Sequence, residues 1–284
     1  MDTRFLESFV VLTESASVAE AARRVRLTPA ALTLRINALE DELGYTLISR
    51  VGRTVRPTAA GLRVAERARA LLKDIRDLHM LGEAGELKGE LRLGVATGAV
   101  AGVFCDLLPS LARRHPGLEL SVTKATSSAL YALLQEERID AALMFRPPFE
   151  VPKSLDWRVL RYEPYVVIAA PNLQPQDAHG LLRSQPFIRY DRKLWSGRIA
   201  DDYLRAMEIQ PRERLELDGL EAIAVLVNRG LGVSLVPDWS TPWPEGLQLV
   251  KHPLIGTPPV RALGMMWPRN TPRLPFVNAL LDAS

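Results

Sequence analysis

The sequence predicts two kinds of fold in one chain: a mainly helical N-terminal part, and a larger α/β body joined to it by one long helix. Three observations carry this prediction. The first sixty residues hold three helical patterns with their own start signals. From Thr58 to about Leu81 there is no Pro and one early Gly, with apolar residues three and four apart. Beyond Gly89, short apolar strands alternate with helical patterns, as strand–helix–strand units require. A length of 284 residues suits about two domains at roughly 150 residues each.

Composition excludes much. Hydrophobic residues make up 47% and charged residues 24%, with a mean hydropathy of zero, so disorder and low-complexity scaffolds are out. No stretch approaches the roughly 18 apolar residues of a membrane span. Met1-Asp2-Thr3-Arg4-Phe5 runs straight into a helical pattern without a signal-peptide layout, so a soluble, cytoplasmic protein is expected. The single cysteine, Cys105, rules out an internal disulfide framework and a cysteine-rich zinc site. It sits in the apolar run Val103-Phe104-Cys105 and reads as a small buried hydrophobe, with a redox switch as the alternative. His79, His115, His179 and His252 show no metal-ligand spacing, and neither a metal nor a cofactor is expected. Gly94, Gly98 and Gly102 are spaced by four, which is neither a dinucleotide fingerprint nor a P-loop. With no nucleophile elbow and no acid/base carboxylate pair, no catalytic residue is assigned.

The net charge of +3 is bland, but its distribution is not. Between Ala21 and Thr58 there are seven Arg and no Lys, against three acids grouped at Glu40-Asp41-Glu42. A basic stretch before a nearly neutral remainder suits a nucleic-acid arm on a larger body.

The first helix is expected from Thr3 to Ser15, with Phe5, Phe9 and Leu12 on one face. Ser17 and Glu20 then form a capping box: the hydroxyl accepts from the Glu20 N–H, and the carboxylate reaches back to Ser17. The short second helix, to about Val25, carries Ala21 and Ala22, small enough for a close helix crossing. Thr28 suits an N-cap and Pro29 the first helical position of the third helix. Leu32, Ile36, Leu39 and Leu43 form its core stripe, and Gly44 suits a left-handed C-terminus. At about 100° per residue, the opposite face presents Ala30, Leu34, Asn37 and Asp41, flanked by Thr33 and Arg35. Small residues, an amide and a hydroxyl on that face suit insertion into a DNA major groove. Leu47 to Pro57 reads as two short strands around Gly52, with Arg50, Arg53 and Arg56 placed as phosphate contacts.

These residues carry a family resemblance. Phe9-x2-Leu12, Ser17-x3-Ala21-Ala22, Thr28-Pro29-Ala30-Ala31-Leu32-Thr33, Ile36-x2-Leu39-Glu40-x2-Leu43-Gly44-x2-Leu47, Arg50 and Thr58-x2-Gly61 together resemble the winged helix-turn-helix of LysR-type transcriptional regulators. The family often has Ser-Gln where this chain has Thr28-Pro29, so a base-reading glutamine is missing. Thr33 replaces the usual serine, and Ile48 stands where phenylalanine is common. Leu34 is also unusual on the outward face, and reads as a contact to a thymine methyl or to another protein. The resemblance implies a DNA-binding domain over residues 1–58 that uses Thr28, Pro29, Ala30, Thr33, Leu34, Arg35, Asn37, Arg50, Arg53 and Arg56.

The connector, residues 59–88, is expected to be a helix of about 24 residues, about 36 Å long, followed by a Gly82–Gly85 joint. Its stripe of Leu62, Ala65, Ala68, Leu72 and Ile75 is expected to pack against the same helix of a second copy, the alternative being its own domain. In the resembled family this helix makes the dimer, which implies a homodimer or homotetramer.

The body, residues 89–284, begins with strands at Leu91–Val95, Leu118–Val122 and Ala141–Phe145, separated by helices, and predicts a parallel sheet with right-handed crossovers. A second set follows, with strands at Val166–Ala169, Phe187-Ile188 and Val233–Val236 and helices near Ile199–Met207 and Leu220–Asn228. Ala262–Trp267 and Pro275–Leu281 close the chain. Two such lobes resemble the effector-binding domain of the same family, itself similar to periplasmic binding proteins. The expected lobe I covers about 89–162 and 266–284, and lobe II about 163–265. Asn228-Arg229-Gly230-Leu231-Gly232 matches the family's approach to the last strand of lobe II.

Ligands of such sheets bind where strands end and helices begin. The candidates are Thr97 and Gly98, Thr126-Ser127-Ser128 at a helix start that favours a carboxylate, Arg146, Asp218 (a capping box with Glu221), and Arg189, Tyr190 and Trp195 from the facing lobe. Two arginines and hydroxyl-bearing helix starts suggest a small anionic or polar aromatic effector. The expected function is a ligand-responsive, sequence-specific regulator of bacterial transcription that binds pseudopalindromic promoter DNA and works with RNA polymerase. The alternatives are an architectural DNA-binding protein without ligand response and an α/β enzyme with a helix-turn-helix appendage.

Overall fold

The computed structural model describes residues 2–51, 54–80, 87–173, 177–239 and 246–283. The chain divides into two compact units, Met1–Gly85 and Glu86–Ser284.

In the first unit, α1 (Thr3–Thr13) starts at Asp2, whose side chain accepts the Arg4 N–H. The next helix, α2 (Val18–Arg24), is capped by Ser17, which accepts from the Glu20 N–H at 3.2 Å. The return bond differs from the expected one: the Glu20 carboxylate takes the N–H of Ala16 at 2.9 Å, one residue before the cap. Helix α3 (Pro29–Leu43) is capped by Thr28 and ends at Gly44, whose φ of +78° lies in the left-handed region. Leu32, Ile36 and Leu39 enter a core with Phe9, Leu12, Ala21, Ala22 and Leu47, while Leu43 is only partly buried. Strands β1 (Ile48–Val51) and β2 (Thr54–Pro57) pair antiparallel, with Ser49 opposite Arg56 and Arg50 opposite Val55. Glu40 fastens this hairpin to α3 by accepting the N–H groups of Leu47 at 2.6 Å and Ile48 at 3.0 Å.

Helix α4 (Ala59–Met80) corrects the reading of the connector. Ala65 and Ala68 are buried in the core of their own unit against α1, with Leu72 packed beside them. A stripe of small residues lets α1 come close, so the first half of α4 belongs to the first unit. Leu62 lies off that contact and is exposed, Ile75 is half-buried, and Leu71 is also exposed. The Gly82–Gly85 joint lies outside the described residues.

The second unit begins with β3 (Gly89–Ala96), which pairs in parallel with β4 (Leu118–Ala125) and with β5 (Ala141–Phe145). After β3 the chain makes a 3-10 turn at Thr97–Ala99 and a wide turn at Val100–Phe104, then enters α5 (Cys105–Arg114). Cys105 is exposed at the start of α5, contrary to the expectation from its apolar neighbours. Helix α6 (Ser127–Gln135) follows β4. The expected parallel sheet is completed by two antiparallel strands, β6 (Leu155–Ala169) and β11 (Val260–Pro268), with β11 lying between β5 and β6.

Strand β6 builds both lobes. Its first half pairs with β11, and its second half, Tyr165–Ala169, pairs with β9 (Ser234–Pro237) and β10 (Val250–Pro253). Lobe II adds β7 (Pro186–Tyr190), parallel to β8 (Arg212–Leu217), with β7 bridged to Val233 just before β9. Its helices are α7 (Ala178–Ser184), α8 (Trp195–Ala206) and α9 (Leu220–Asn228), and α10 (Leu274–Asp282) closes the chain. The return to lobe I therefore comes at Val260, before the expected residue 266. Leu263 to Met266 already pair with β5, which buries both faces of that segment.

Candidate nucleic-acid interface and ligand cleft

On α3, burial and exposure follow the helical period. The core stripe holds one side, and Thr28, Pro29, Ala30, Leu34 and Asn37 are exposed on the other. Leu34 is 70% exposed, the highest value among the exposed large apolar residues. The flanking residues are half-buried and partly engaged: the Thr33 hydroxyl donates to the Pro29 carbonyl at 2.9 Å, and Arg35 Nη1 donates to Ser8 Oγ at 3.1 Å. Arg56 is exposed on β2, Arg50 sits on β1, and Arg53 lies outside the described residues.

In the second unit a cleft of about 630 Å³, open at its mouth, runs between the lobes. Lobe I contributes Thr97, Gly98, Thr126, Ser127, Ser128 and Phe145, and lobe II contributes Tyr190, Leu194, Trp195, Ser196, Asp218 and Glu221. The helix starts of α6, α8 and α9 converge on it, each with unpaired backbone N–H groups. Thr126 caps α6 through the Ala129 N–H at 3.3 Å, and its hydroxyl lies 3.1 Å from that of Ser128. Thr97 Oγ1 is 3.4 Å from the Ala125 carbonyl. Ser127 is 9% exposed, and its oxygen accepts the Phe145 N–H at 3.1 Å. A hydroxyl that accepts in this way keeps its hydrogen for another partner.

Both expected arginines lie off the cleft wall. Side chains of a strand point alternately to its two faces. On β7, Tyr190 faces the cleft, so Arg189 points the other way, buried and ion-paired to Asp201 at 2.6 Å and Glu213 at 2.5 Å. At the end of β5 the same alternation gives Phe145 to the cleft. Arg146 is exposed beside it, its N–H bound to the Ala262 carbonyl at 2.8 Å. Asp218 does line the cleft, but not as a cap: Gly219 is the N-cap of α9, without a side-chain bond.

Sequence reasoning missed the polar layer beneath the cleft. Arg261 on β11 is 1% exposed and pairs with Glu163 of β6 at 2.6 Å, at the crossing between the lobes. Its guanidinium carbon lies 3.9 Å from the centre of the Phe145 ring, a cation–π contact. The hydroxyl of Tyr165 donates to the Ser196 carbonyl at 2.5 Å. Tyr190, which the sequence did offer as a cleft residue, stands against this layer: burial pushes its phenol above the usual range, with Arg261 pulling the other way, so it stays a neutral donor. The one clue in the sequence was a charged residue opening the apolar run Arg261-Ala262-Leu263-Gly264-Met265-Met266-Trp267. Trp195 joins the lobes at the mouth, its ring centre 5.7 Å from that of Phe149 and 6.3 Å from that of Tyr131.

Among the described residues, no cluster of three or more His, Cys, Asp or Glu could hold a metal ion, and no helix is long and apolar enough to cross a membrane.

A capped, outward-facing third helix with a β-hairpin wing, carried on the same chain as a two-lobed body around a cleft, defines a transcription regulator with its own sensor domain. The family description "LysR substrate binding domain" matches residues 84–284, and "Bacterial regulatory helix-turn-helix protein, lysR family" matches residues 3–62. The chain belongs to the LysR family of transcriptional regulators. It is 28% identical over 240 residues to the HTH-type transcriptional regulator CfxR of Cupriavidus necator, covering 82% of this chain and 74% of CfxR. The DNA-binding transcriptional dual regulator OxyR of Escherichia coli is 26% identical over 304 residues, covering 100% of this chain and 94% of OxyR. Among solved structures, a full-length OxyR variant from Pseudomonas aeruginosa shares the fold with a TM-score of 0.70 at 24% identity, covering 100% and 94% of the two chains. Full-length CbnR in complex with its target DNA does so with a TM-score of 0.65 at 20% identity, covering 100% of both chains.

Proposed function

We propose that this regulator reads two related half-sites of promoter DNA as a dimer or tetramer, is switched by a small molecule in the interlobe cleft, and acts through contact with RNA polymerase. The observation that carries the reading is the outer face of α3. A 70% exposed Leu34 and an exposed Asn37 stand on a helix whose other side is locked into the core. Exposing a leucine has no folding benefit, and a thymine methyl in the major groove is a fitting partner. An amide at Asn37 suits the paired donor and acceptor of an adenine edge. The exposed Arg56 on β2 supports a phosphate contact that sets the register. The exposed Leu62 and Leu71 of α4 support pairing with a second copy. A ligand closing the lobes changes the DNA complex only if it binds the two arrangements with different affinity.

Selection from a random duplex pool at one fixed, near-physiological salt concentration tests this. Enrichment of a site with two related half-sites is expected, and equal affinity for all duplexes would return the architectural alternative. On the selected site, Asn37→Ala is expected to weaken binding about tenfold or more while leaving non-specific binding unchanged. Equal losses on both would remove Asn37 from base readout. Arg56→Ala is expected to weaken binding to all sequences and to reduce the salt slope by about one; an unchanged slope would mark Arg56 as ordinary surface.

A further inference from the structure

Three aromatic rings drawn from both lobes meet at the mouth of the cleft. Trp195, the first residue of α8 in lobe II, faces two rings of lobe I: Tyr131 on α6 and Phe149 in the loop after β5. The ring centres lie 5.7 Å apart for Trp195 and Phe149, 6.3 Å for Trp195 and Tyr131, and 5.2 Å for Tyr131 and Phe149. The planes cross at 84°, 63° and 71°, so each pair is edge-to-face. In that arrangement the positive edge of one ring meets the negative face of the next. Phe149 is 43% exposed, so burial within lobe I does not account for a phenylalanine there.

Both halves of this contact are held stiffly. Phe149 follows Pro147 and Pro148, whose rings fix φ near −65°, and Pro147 is buried. At the root of the same loop the Arg146 N–H is bound to the Ala262 carbonyl at 2.8 Å. The Tyr131 hydroxyl is held by Gln135 Nε2, which donates to it at 2.8 Å. In lobe II the Leu194 N–H donates to the Asp191 carbonyl at 3.1 Å. Gly197 packs so closely on that carbonyl that a β-carbon would stand 1.8 Å from its oxygen. The Ser196 carbonyl is fixed in turn by the Tyr165 hydroxyl. Neither half can follow the other, so a hinge motion at the β6–β11 crossing makes or breaks the contact as a whole.

We propose that Tyr131, Phe149 and Trp195 form an aromatic latch that holds the two lobes together before any effector enters. Trp195 lines the cleft on one side and touches lobe I on the other. A molecule that fills the cleft therefore presses on the ring that closes the latch, and so biases the arrangement of the lobes. This regulatory use rests on the reading of the cleft as the effector site; the latch itself does not. Tyr131 and Phe149 are not among the cleft-lining residues, so they act on the lobes without touching a ligand held there.

Distances between spin labels on the two lobes of the full chain test this with no ligand present. Cys105, the one cysteine, is replaced in a C105S background. Labels are then attached through N278C on α10, which packs on α5 of lobe I, and R183C on α7 of lobe II, both exposed positions. Labelled chain is diluted into unlabelled chain, so that only distances within one chain are read. The parent is expected to give one dominant distance. F149A and W195A are each expected to raise the ratio of longer to shorter distances about two- to tenfold, the range for one lost edge-to-face pair. W195F, which keeps a ring at that place, is expected to show a smaller rise than W195A. Unchanged distances in F149A and W195A overturn the latch. A rise in W195A without one in F149A also overturns it, because Trp195 then acts through packing inside lobe II. Phe149 is largely exposed, so F149A keeps the test open if W195A fails to fold. Small molecules that never bind the cleft would remove the effector reading and leave these distances as they are.

Discussion

Gly61→Ala is expected to lower the melting temperature of the DNA-binding unit by about 8–16 °C, a net cost of about 2 kcal/mol at about 4–8 °C per kcal/mol for a unit of this size. A β-carbon on Gly61 would lie 2.0 Å from the carbonyl oxygen of Leu47 and 3.0 Å from its carbon. Both are backbone atoms, so no side chain can turn away. The same carbonyl accepts the Thr58 N–H at 2.9 Å, and Thr58 Oγ1 in turn accepts the Gly61 N–H at 2.9 Å. The start of α4 is thus bolted to the end of the α3–β1 connection, and a methyl group forces the two apart. The overpacking cost of about 3 kcal/mol outweighs the roughly 1 kcal/mol that alanine gains over glycine in a helix. Gly44→Ala is the control: its φ is +78°, but nothing lies within 4 Å of the added carbon, so only the left-handed strain of about 1 kcal/mol applies. Thermal unfolding followed by circular dichroism checks the pair, and equal small shifts for both would show that α4 slides freely over Leu47.

Glu163→Ala is expected to destabilise the effector-binding unit by about 3–5 kcal/mol, the range for removing one partner of a buried ion pair. Arg261 would be left charged and 1% exposed, with Phe145 stacked on it and no carboxylate to balance it. Removing both charges is a different matter. The double variant E163M/R261M leaves no buried charge, and is expected to recover most of the loss because apolar residues of similar volume often replace buried pairs without cost. Urea unfolding of the effector-binding unit is the measurement. A single variant within about 1 kcal/mol of the parent would mean that water or a side-chain shift solvates Arg261. This pair lies at the strands that cross between lobes, so the double variant also reports whether the charge pair, rather than the β6–β11 pairing, sets how the lobes move.

Much of the first unit was legible in the chain because its signals are local. Thr28 before Pro29, the 4-3-4 spacing from Leu32 to Leu43 and Gly44 at the end describe α3 and its two caps within a short stretch of chain, and the structure places its ends there. The helix at Leu220–Asn228 was read to the residue, between Gly219 and the Arg229-Gly230 turn. The strands that were missed lack such signals. Arg212–Leu217 is a largely exposed strand in which four of six residues are charged, and the first half of β6 mixes Asp156, Arg158, Arg161 and Glu163 among its apolar residues. Both read as surface until a neighbouring strand is present.

Candidate cleft residues divided along the same line. Thr126, Ser127 and Ser128 were found because hydroxyls at a helix start are a local pattern, and Asp218 was found for a capping role that Gly219 fills instead. Arg146 and Arg189 were misplaced because the phase of a strand is decided by which face packs, and a one-residue difference moves a side chain from the cleft to the far side. Caps, periods and turns are therefore fixed by short-range geometry alone. The inward turn of Ala65 and Ala68, the crossing at Val260 and the pairing of Glu163 with Arg261, 98 residues away, depend on surfaces that meet only after the chain has folded, where burial selects one face and expels the other.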